Sequence, residues 1–155
     1  MSTFTNTIDT LRQPLNIPVS KHGYRLVTDF VYLWEHKSQQ LRLTVPSGFD
    51  YDGASVPRIC WTITGLRPDG LIRAAATAHG FLYRHSGNVP ASNMQLALPA
   101  LRGQHFHKWQ EIKTPWSRKQ ADKLFARIMR ESGVGKFQRR LAYLAVRAVG
   151  WTRWT

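Results

Sequence analysis

The chain has 155 residues, and its 22 Lys and Arg side chains outnumber its 9 Asp and Glu side chains, which gives a formal charge of +13. A hydrophobic fraction of 43% excludes a disordered chain, and the single cysteine, Cys60, excludes an internal disulfide framework and any multi-cysteine zinc site. The length fits a single domain over residues 1–155.

The N-terminal part of the chain has the alternating pattern of antiparallel strands. Residues 1–20 contain two prolines and predict an arm or an edge strand. Apolar and polar residues alternate from Tyr24 to Glu35, and again from Leu41 to Val45 after a polar break. Residues 24–45 therefore predict two strands joined as a hairpin, and residues 46–58, which contain Gly48 and Gly53, predict a loop.

Residues 69–155 are predicted to be mainly helical. One helix is expected from Gly70 to about His85, one from Ser117 to about Ser132, and one from Lys136 to about Val149, with a short helix at 93–101 in the connection. On the last helix the predicted inward residues are Phe137, Leu141, Leu144, Ala145 and Ala148. Strands followed by helices indicate an α+β fold, in which an antiparallel hairpin precedes a bundle of three or more helices.

The first candidate site is the loop around Asp50 and Asp52. Two carboxylates one residue apart, in a loop that contains glycine, can hold a divalent cation through oxygen ligands. The same side chains can instead cap nearby backbone amides, which is the commoner use of Asp in loops. Both interpretations stay open, and no cofactor follows from the sequence.

The second candidate site pairs His79 with Asp122. His79 lies in the apolar stripe of its predicted helix, and Asp122 lies at the edge of the apolar stripe of the next. If these helices pack antiparallel, the carboxylate can orient the imidazole and raise its basicity, as in many hydrolytic sites. A histidine on an apolar stripe is otherwise an ordinary core residue.

The third candidate site is the basic face of the last two helices. Residues 113–155 carry 11 basic and 2 acidic side chains, a net +9, whereas residues 1–112 carry a net +4. This excess predicts an anionic partner, either nucleic acid or an acidic protein. Lys123, Arg127 and Arg130 add to the charge of the face, and the side chains assigned to binding are Arg118, Lys119, Lys136, Arg140, Tyr143 and Arg147.

The sequence predicts a protein that is made in a cytoplasm and stays there. Residues 1–10 are polar and lack the basic start and apolar run of a signal peptide. No apolar stretch approaches the ~20 residues of a membrane span. Binding to a membrane surface is disfavoured because the apolar faces of the helices are expected to serve the core.

Three motifs in order resemble a known family. They are Gly48-Phe49-x-x-Asp52-x-Ala54-Ser55-Val56-Pro57, then His79-x-x-Leu82-Tyr83, then Ser117-Arg118-x-x-Ala121-Asp122-x-x-Phe125. Together they are similar to the signature of a family of phage and prophage proteins, the domain-of-unknown-function family numbered 1353. The resemblance covers residues 24–150 and implies a location in the host cytoplasm or the virion, with phage virion proteins as partners.

One departure from the family bears on catalysis. Gly80 stands where the family usually has Asp. The histidine helix, paired with a helix that carries Asp, is also similar to the phospholipase A2 arrangement. There the histidine is the general base and the adjacent aspartate holds calcium. This likeness implies that His79 and Asp122 keep the base and its orienting group, while the metal ligand at position 80 is lost.

Two functions follow as hypotheses. The first is a phage-encoded basic accessory protein that binds or hydrolyses an anionic ligand in a polar pocket. The residues expected to build this pocket are Asp52, Ser55, His79, Tyr83 and Asp122. The candidate catalytic residues are His79 and Asp122 together with Ser55 and Tyr83. The Gly80 departure favours binding over turnover. The alternative is a non-enzymatic protein that binds nucleic acid, a virion component or a host factor through its basic C-terminal helices.

Overall fold

The computed structural model of the chain describes residues 11–21, 23–52, 62, 65, 70–99 and 108–154. Antiparallel strands dominate the N-terminal half of these residues and helices dominate the C-terminal half, so the predicted α+β class is confirmed. The described residues contain seven strands, which are β1 (Asn16–Pro18), β2 (Gly23–Leu26), β3 (Phe30–His36), β4 (Gln39–Val45), β5 (Asp50–Asp52), β6 (Met94–Ala97) and β7 (Trp109–Glu111).

The strands form two antiparallel sheets. The first has the order β1-β2-β5, and its register places Tyr24 opposite Tyr51. The second has the order β3-β4-β6-β7, and its register places Trp34 opposite Leu41. The predicted hairpin is the β3–β4 pair, whose two turn residues, Lys37 and Ser38, have φ of 49° and 63°. Two successive positive φ values are typical of the tight turns that match the twist of paired strands.

The single strand predicted over 24–35 is two strands that belong to different sheets. The chain bends at residues 27–29, where the Asp29 carboxylate accepts a hydrogen bond of 2.7 Å from the backbone N–H of Ser47. Leu26 and Phe30 are both buried, four residues apart, so the apolar alternation keeps its phase through the bend. The pattern therefore gives no sign that the strand is interrupted.

The helices of the described residues are α1 (Arg73–Arg84), α2 (Arg118–Glu131) and α3 (Lys136–Val149). Ser117 begins α2 with a capping box, in which its side chain accepts from the Gln120 N–H and the Gln120 side chain accepts from the Ser117 N–H. Gly133, with φ of 85°, follows the end of α2. None of these three helices is both long and apolar enough to cross a membrane.

The short helix predicted over 93–101 is wrong. A 3₁₀ turn at Ala91–Asn93 leads directly into β6, which pairs with β4 so that Met94 lies opposite Leu43 and Leu96 opposite Leu41. Met94 is buried by this pairing. Pairing with the edge of β4, which is distant in sequence, thus makes this segment a strand and overrides its local preference for a helix.

The core lies between the sheets and the helices. Helix α1 packs against α2 and also contacts β4 and β5, and nine of its twelve residues are buried. The largest fully buried side chains include Tyr32 and Leu43 from the sheet, Leu82 from α1, and Phe125 and Ile128 from α2. The central position of α1 brings its polar residues into the interior of the molecule.

Helix α3 packs through a face that agrees with the predicted one only in part, since Leu141 and Ala145 are half-buried and Ala145 packs against the core. Its buried residues are Ala142 and Val146, whereas Phe137 is 74% exposed and Leu144 is 62% exposed. The helix carries two apolar stripes, and the stripe of smaller residues is the one that faces α2. The larger stripe, Phe137 and Leu144 with Trp151 beyond the helix end, is left on the surface, so the expectation that the apolar faces of the helices serve the core is wrong for α3. We call these three residues the exposed apolar stripe.

Candidate functional site

A buried polar cluster joins α1 to α2. His79 Nε2 lies 2.8 Å from Asp122 Oδ1, and the Tyr83 hydroxyl, one turn further along α1, donates to the same oxygen over 2.6 Å. The side chains of His79 and Asp122 are wholly shielded from solvent. The expected contact between His79 and Asp122 is therefore present in the structure, with Tyr83 beside it.

Arginine completes this cluster from α3. Arg147 Nη1 donates to Asp122 Oδ2 over 2.8 Å, and Arg118 Nη1 lies 3.8 Å from the same oxygen. Arg118 also donates to the carbonyl oxygen of Arg147, near the C-terminal end of α3, over 3.1 Å. Arg118 and Arg147, which the sequence assigns to the basic binding face, therefore turn towards Asp122 and join α2 to α3.

The charges in the cluster follow from burial and hydrogen bonding. Burial acts to raise the pKa of Asp122, but hydrogen bonds from His79, Tyr83 and Arg147 outweigh it and lower the pKa below its usual value. Burial lowers the pKa of His79, and its hydrogen bond to Asp122 offsets this only in part. At neutral pH the cluster therefore holds a carboxylate and a neutral imidazole, whose proton is on Nε2.

The neutral imidazole leaves one nitrogen with a free lone pair. His79 Nδ1 is buried and has no hydrogen-bond partner among the described residues. A histidine held by a carboxylate through one nitrogen and free at the other has the arrangement of a general base. Neither of the two surface grooves described below is lined by His79, Tyr83 or Asp122.

Gly150 is a residue of this site that the sequence analysis missed. A Cβ atom placed on Gly150 would lie 2.5 Å from the Tyr83 hydroxyl oxygen. Only glycine at this position lets the chain after α3 approach Tyr83 while Tyr83 donates to Asp122. The sequence signal for it is a glycine directly after the predicted end of the last helix, at about Val149.

In the candidate loop around Asp50 and Asp52, Asp50 forms an ion pair with Arg25. Both carboxylate oxygens of Asp50 accept hydrogen bonds from Arg25, over 2.7 and 2.9 Å, and this contact lowers the pKa of Asp50. The backbone of Asp52 lies in β5, opposite Gly23, while its side chain and the whole of Ser55 lie outside the described residues. In the described ranges, no group of three or more His, Cys, Asp and Glu side chains is placed to hold a metal ion.

A groove of about 470 Å³ runs between α2 and α3 and is lined mainly by cations. We call it the cationic groove; its lining residues are Lys123, Ala126, Arg127, Arg130, Lys136, Arg139, Arg140 and Tyr143. Arg127 forms an ion pair of 3.0 Å with Glu131. The other five cations form no ion pair with any described residue, so their charge is available to an anionic partner.

The groove contains only part of the predicted basic face. Lys136, Arg140 and Tyr143 line it, as do Lys123, Arg127 and Arg130, whereas Lys119 is exposed outside it. Arg139 is the lining residue that the sequence analysis missed. Lys136, Arg139, Arg140 and Tyr143 follow the i, i+3, i+4, i+7 spacing of one helix face, so the periodicity contained this signal.

A second groove, of about 380 Å³, adjoins the first across α2. Its walls include Trp34 from β3, Leu41 from β4 and Trp116 from the segment before α2. Lys123 and Arg127 line this groove and the cationic groove alike. We call the second groove the tryptophan cleft.

The fold and these features define a basic α+β protein whose three described helices are joined by a buried His–Asp pair and a partly exposed arginine. A family model described as protein of unknown function (DUF1353) matches residues 24–146, which is most of the chain. The chain therefore belongs to this family. Searches of curated proteins and of solved structures found no significant match.

Proposed function

We propose that the protein binds nucleic acid through the cationic groove, without turnover, as a phage- or prophage-encoded accessory protein. The observation that carries the proposal is the set of five groove cations without an ion pair among the described residues. The assignment to phage rests on the motif resemblance alone. A virion or host location follows from that assignment.

The shape and charge of the groove suit a linear polyanion. Its walls are two neighbouring helices of 14 residues each, so cations follow one another along its length. Lys136, Arg139 and Arg140 on α3 face Lys123 and Arg130 on α2 across the groove. A phosphate backbone gains affinity from each cation because binding releases its condensed counterions. Tyr143 adds an aromatic surface among the cations.

A second candidate function is hydrolysis of an anionic substrate by His79. It is supported by the orientation of His79 by Asp122 and by the free lone pair on Nδ1. It is weakened by the complete burial of the His79 side chain, since a general base must reach the proton it removes. Binding is therefore the function that the geometry supports better.

Two lysines on α2 provide a matched test of the binding function. Lys123 lines the cationic groove and Lys119 lies outside it, and both are exposed on the same helix. Fluorescence anisotropy with a labelled oligonucleotide at low salt should show severalfold weaker binding for Lys123→Glu and little change for Lys119→Glu. Affinity should also fall on a log–log plot against salt, with a slope of about −0.7 to −0.9 per phosphate contacted.

Three results would count against these proposals in different ways. Equal losses for the two lysine variants would mean that overall charge, and not the groove, drives binding. Absence of binding by the wild-type protein at low salt would remove the nucleic-acid proposal. Loss of a measured hydrolytic activity in His79→Gln, with oligonucleotide affinity unchanged, would favour the second candidate function.

A further inference from the structure

We propose that the nucleic acid is single-stranded and that the tryptophan cleft receives one of its bases. This inference rests on the proposed function, because it takes the phosphates to lie in the cationic groove. The inference gives the tryptophan cleft a role in binding that the positive charge of the protein does not by itself predict.

The two tryptophan rings of the cleft belong to a row of aromatic contacts that includes Tyr32. The Trp34 ring stacks on Tyr32, with centroids 5.5 Å apart and planes inclined by 21°, and it lies 5.9 Å from the Trp116 ring at an inclination of 49°. Trp34 is buried, with 8% of its surface exposed, whereas Trp116 is half-buried. The backbone N–H of Trp116 donates to the carbonyl of Gly87 over 2.9 Å, which holds its segment against the end of α1.

The lining of the cleft fits a flat, partly polar group. Leu41 and Ile112 supply apolar surface beside the rings, and Gln39 and Thr114 supply hydrogen-bonding groups. The volume of about 380 Å³ is at the lower end of the range of small-molecule sites, roughly 300 to 1,000 Å³. Nucleobases combine a flat face that stacks on aromatic rings with polar edges, so they match this combination.

The position of the cleft links it to the groove. Lys123 and Arg127 are one turn apart on α2 and line both surfaces. A strand whose phosphates follow the groove can therefore cross α2 at these cations and turn a base towards Trp116. Bases in a duplex are paired and stacked, and removing one from the stack costs free energy, so the cleft should favour a single strand.

The closing experiment compares oligonucleotides that differ only in their bases. Binding is measured for a single-stranded 12-mer, for its duplex, and for a 12-mer of abasic sites with the same number of phosphates. The wild-type protein should prefer the base-containing strand over the abasic strand by about tenfold, as expected for one stacked base. Trp116→Leu should lose this preference while keeping its affinity for the abasic strand, and Trp116→Phe should retain most of it.

A second measurement does not depend on the folding of a variant. A 12-mer with a photoreactive halogenated pyrimidine is irradiated with the wild-type protein, and the cross-linked residue is identified by mass spectrometry. Cross-links at Trp116 or Trp34 support the inference, and cross-links found only outside the cleft overturn it. Equal wild-type affinity for base-containing and abasic strands, with both weakened by Lys123→Glu, overturns the inference but leaves the proposed function standing. Absence of binding to every probe overturns both.

Discussion

Asp122 and His79 lie 43 residues apart in the sequence, yet their side chains meet at 2.8 Å in a region without solvent contact. The carboxylate also accepts from Tyr83 and from Arg147, so one residue of α2 holds polar groups of both neighbouring helices. A buried charge with this many donors is strongly dependent on each of them. The stability of the helical half should therefore respond sharply to changes in this cluster.

Replacing Asp122 by Asn should strongly destabilise the protein. The change removes the ionic partner of Arg147, whose side chain is 30% exposed, and weakens the hydrogen bonds from His79 and Tyr83 to a wholly buried carboxylate. Hydrogen bonds to a charged group contribute about 1.5–3 kcal/mol each, so the free energy of unfolding should fall by at least that amount. Urea denaturation of wild type and variant measures the loss. The exposed pair of Asp50 and Arg25 provides the control, since Asp50→Asn should change the free energy of unfolding little. Equal effects of the two substitutions would show that Asp122 has no special role.

Acidification should destabilise the protein through His79. Its pKa lies below the ordinary value of 6.5 in the folded chain, so below about pH 6.5 the unfolded chain binds more protons than the folded one. The free energy of unfolding should then decrease by up to about 1.4 kcal/mol for each pH unit of acidification, until the folded pKa is reached. Asp122, whose pKa is lowered from 3.8, adds to the loss only in more acidic solution.

Denaturation at a series of pH values between about 8 and 5 tests this. His79→Gln, whose amide can still donate to Asp122, should remove most of the slope below pH 6.5. His85 is the matched control: burial lowers its pKa too, but it is only half-buried, so His85→Gln should remove less of the slope. An unchanged slope in His79→Gln would refute the assignment.

Gly150→Ala should displace the Tyr83 hydroxyl from Asp122. The added Cβ would lie 2.5 Å from that oxygen, and overpacking of this kind costs about 1–3 kcal/mol. Tyr83→Phe loses one hydrogen bond on its own, but it also removes the atom that the new methyl group meets. The double variant should therefore be more stable than the sum of the single effects predicts. Simple additivity in thermal or urea unfolding would contradict the contact.

Gly87→Ala should be more harmful than Gly48→Ala, although both glycines have positive φ, 77° and 81° respectively. A Cβ on Gly87 would collide with the backbone carbonyl of Trp116, whereas a Cβ on Gly48 would meet nothing within 4 Å. The Gly48 variant should lose about 1–2 kcal/mol from the left-handed backbone alone. The Gly87 variant should lose clearly more, and similar denaturation midpoints for the two would argue against the close approach.

Local signals predicted the helices well. The predicted bounds of the last two helices, from Ser117 to about Ser132 and from Lys136 to about Val149, agree with α2 and α3 to within a residue or two. The contact between His79 and Asp122 followed from the same period, because each lies in or beside a buried stripe. These features depend on residues within one or two turns of each other, or on the general tendency of apolar stripes to face one another.

The features that were missed depend on contacts between distant residues. The pairing of Leu41 with Leu96 makes a strand from a segment predicted as helix. The inward turn of Arg147 follows from the way α3 packs on α2, which its two apolar stripes left open. The tryptophan cleft joins Trp34 to Trp116 across 82 positions, and no local pattern relates them.

The exposed apolar stripe has a consequence for how the protein associates with itself as the salt concentration changes. Phe137, Leu144 and Trp151 are exposed and spaced by seven residues, and they lie within residues 113–155, which carry a net charge of +9 of the total +13. At low ionic strength, repulsion between like-charged molecules keeps these stripes apart. Screening weakens that repulsion as the Debye length falls to about 3 Å in 1 M salt, while the apolar attraction remains. Raising the salt concentration should therefore promote self-association of the protein and its adsorption to apolar surfaces.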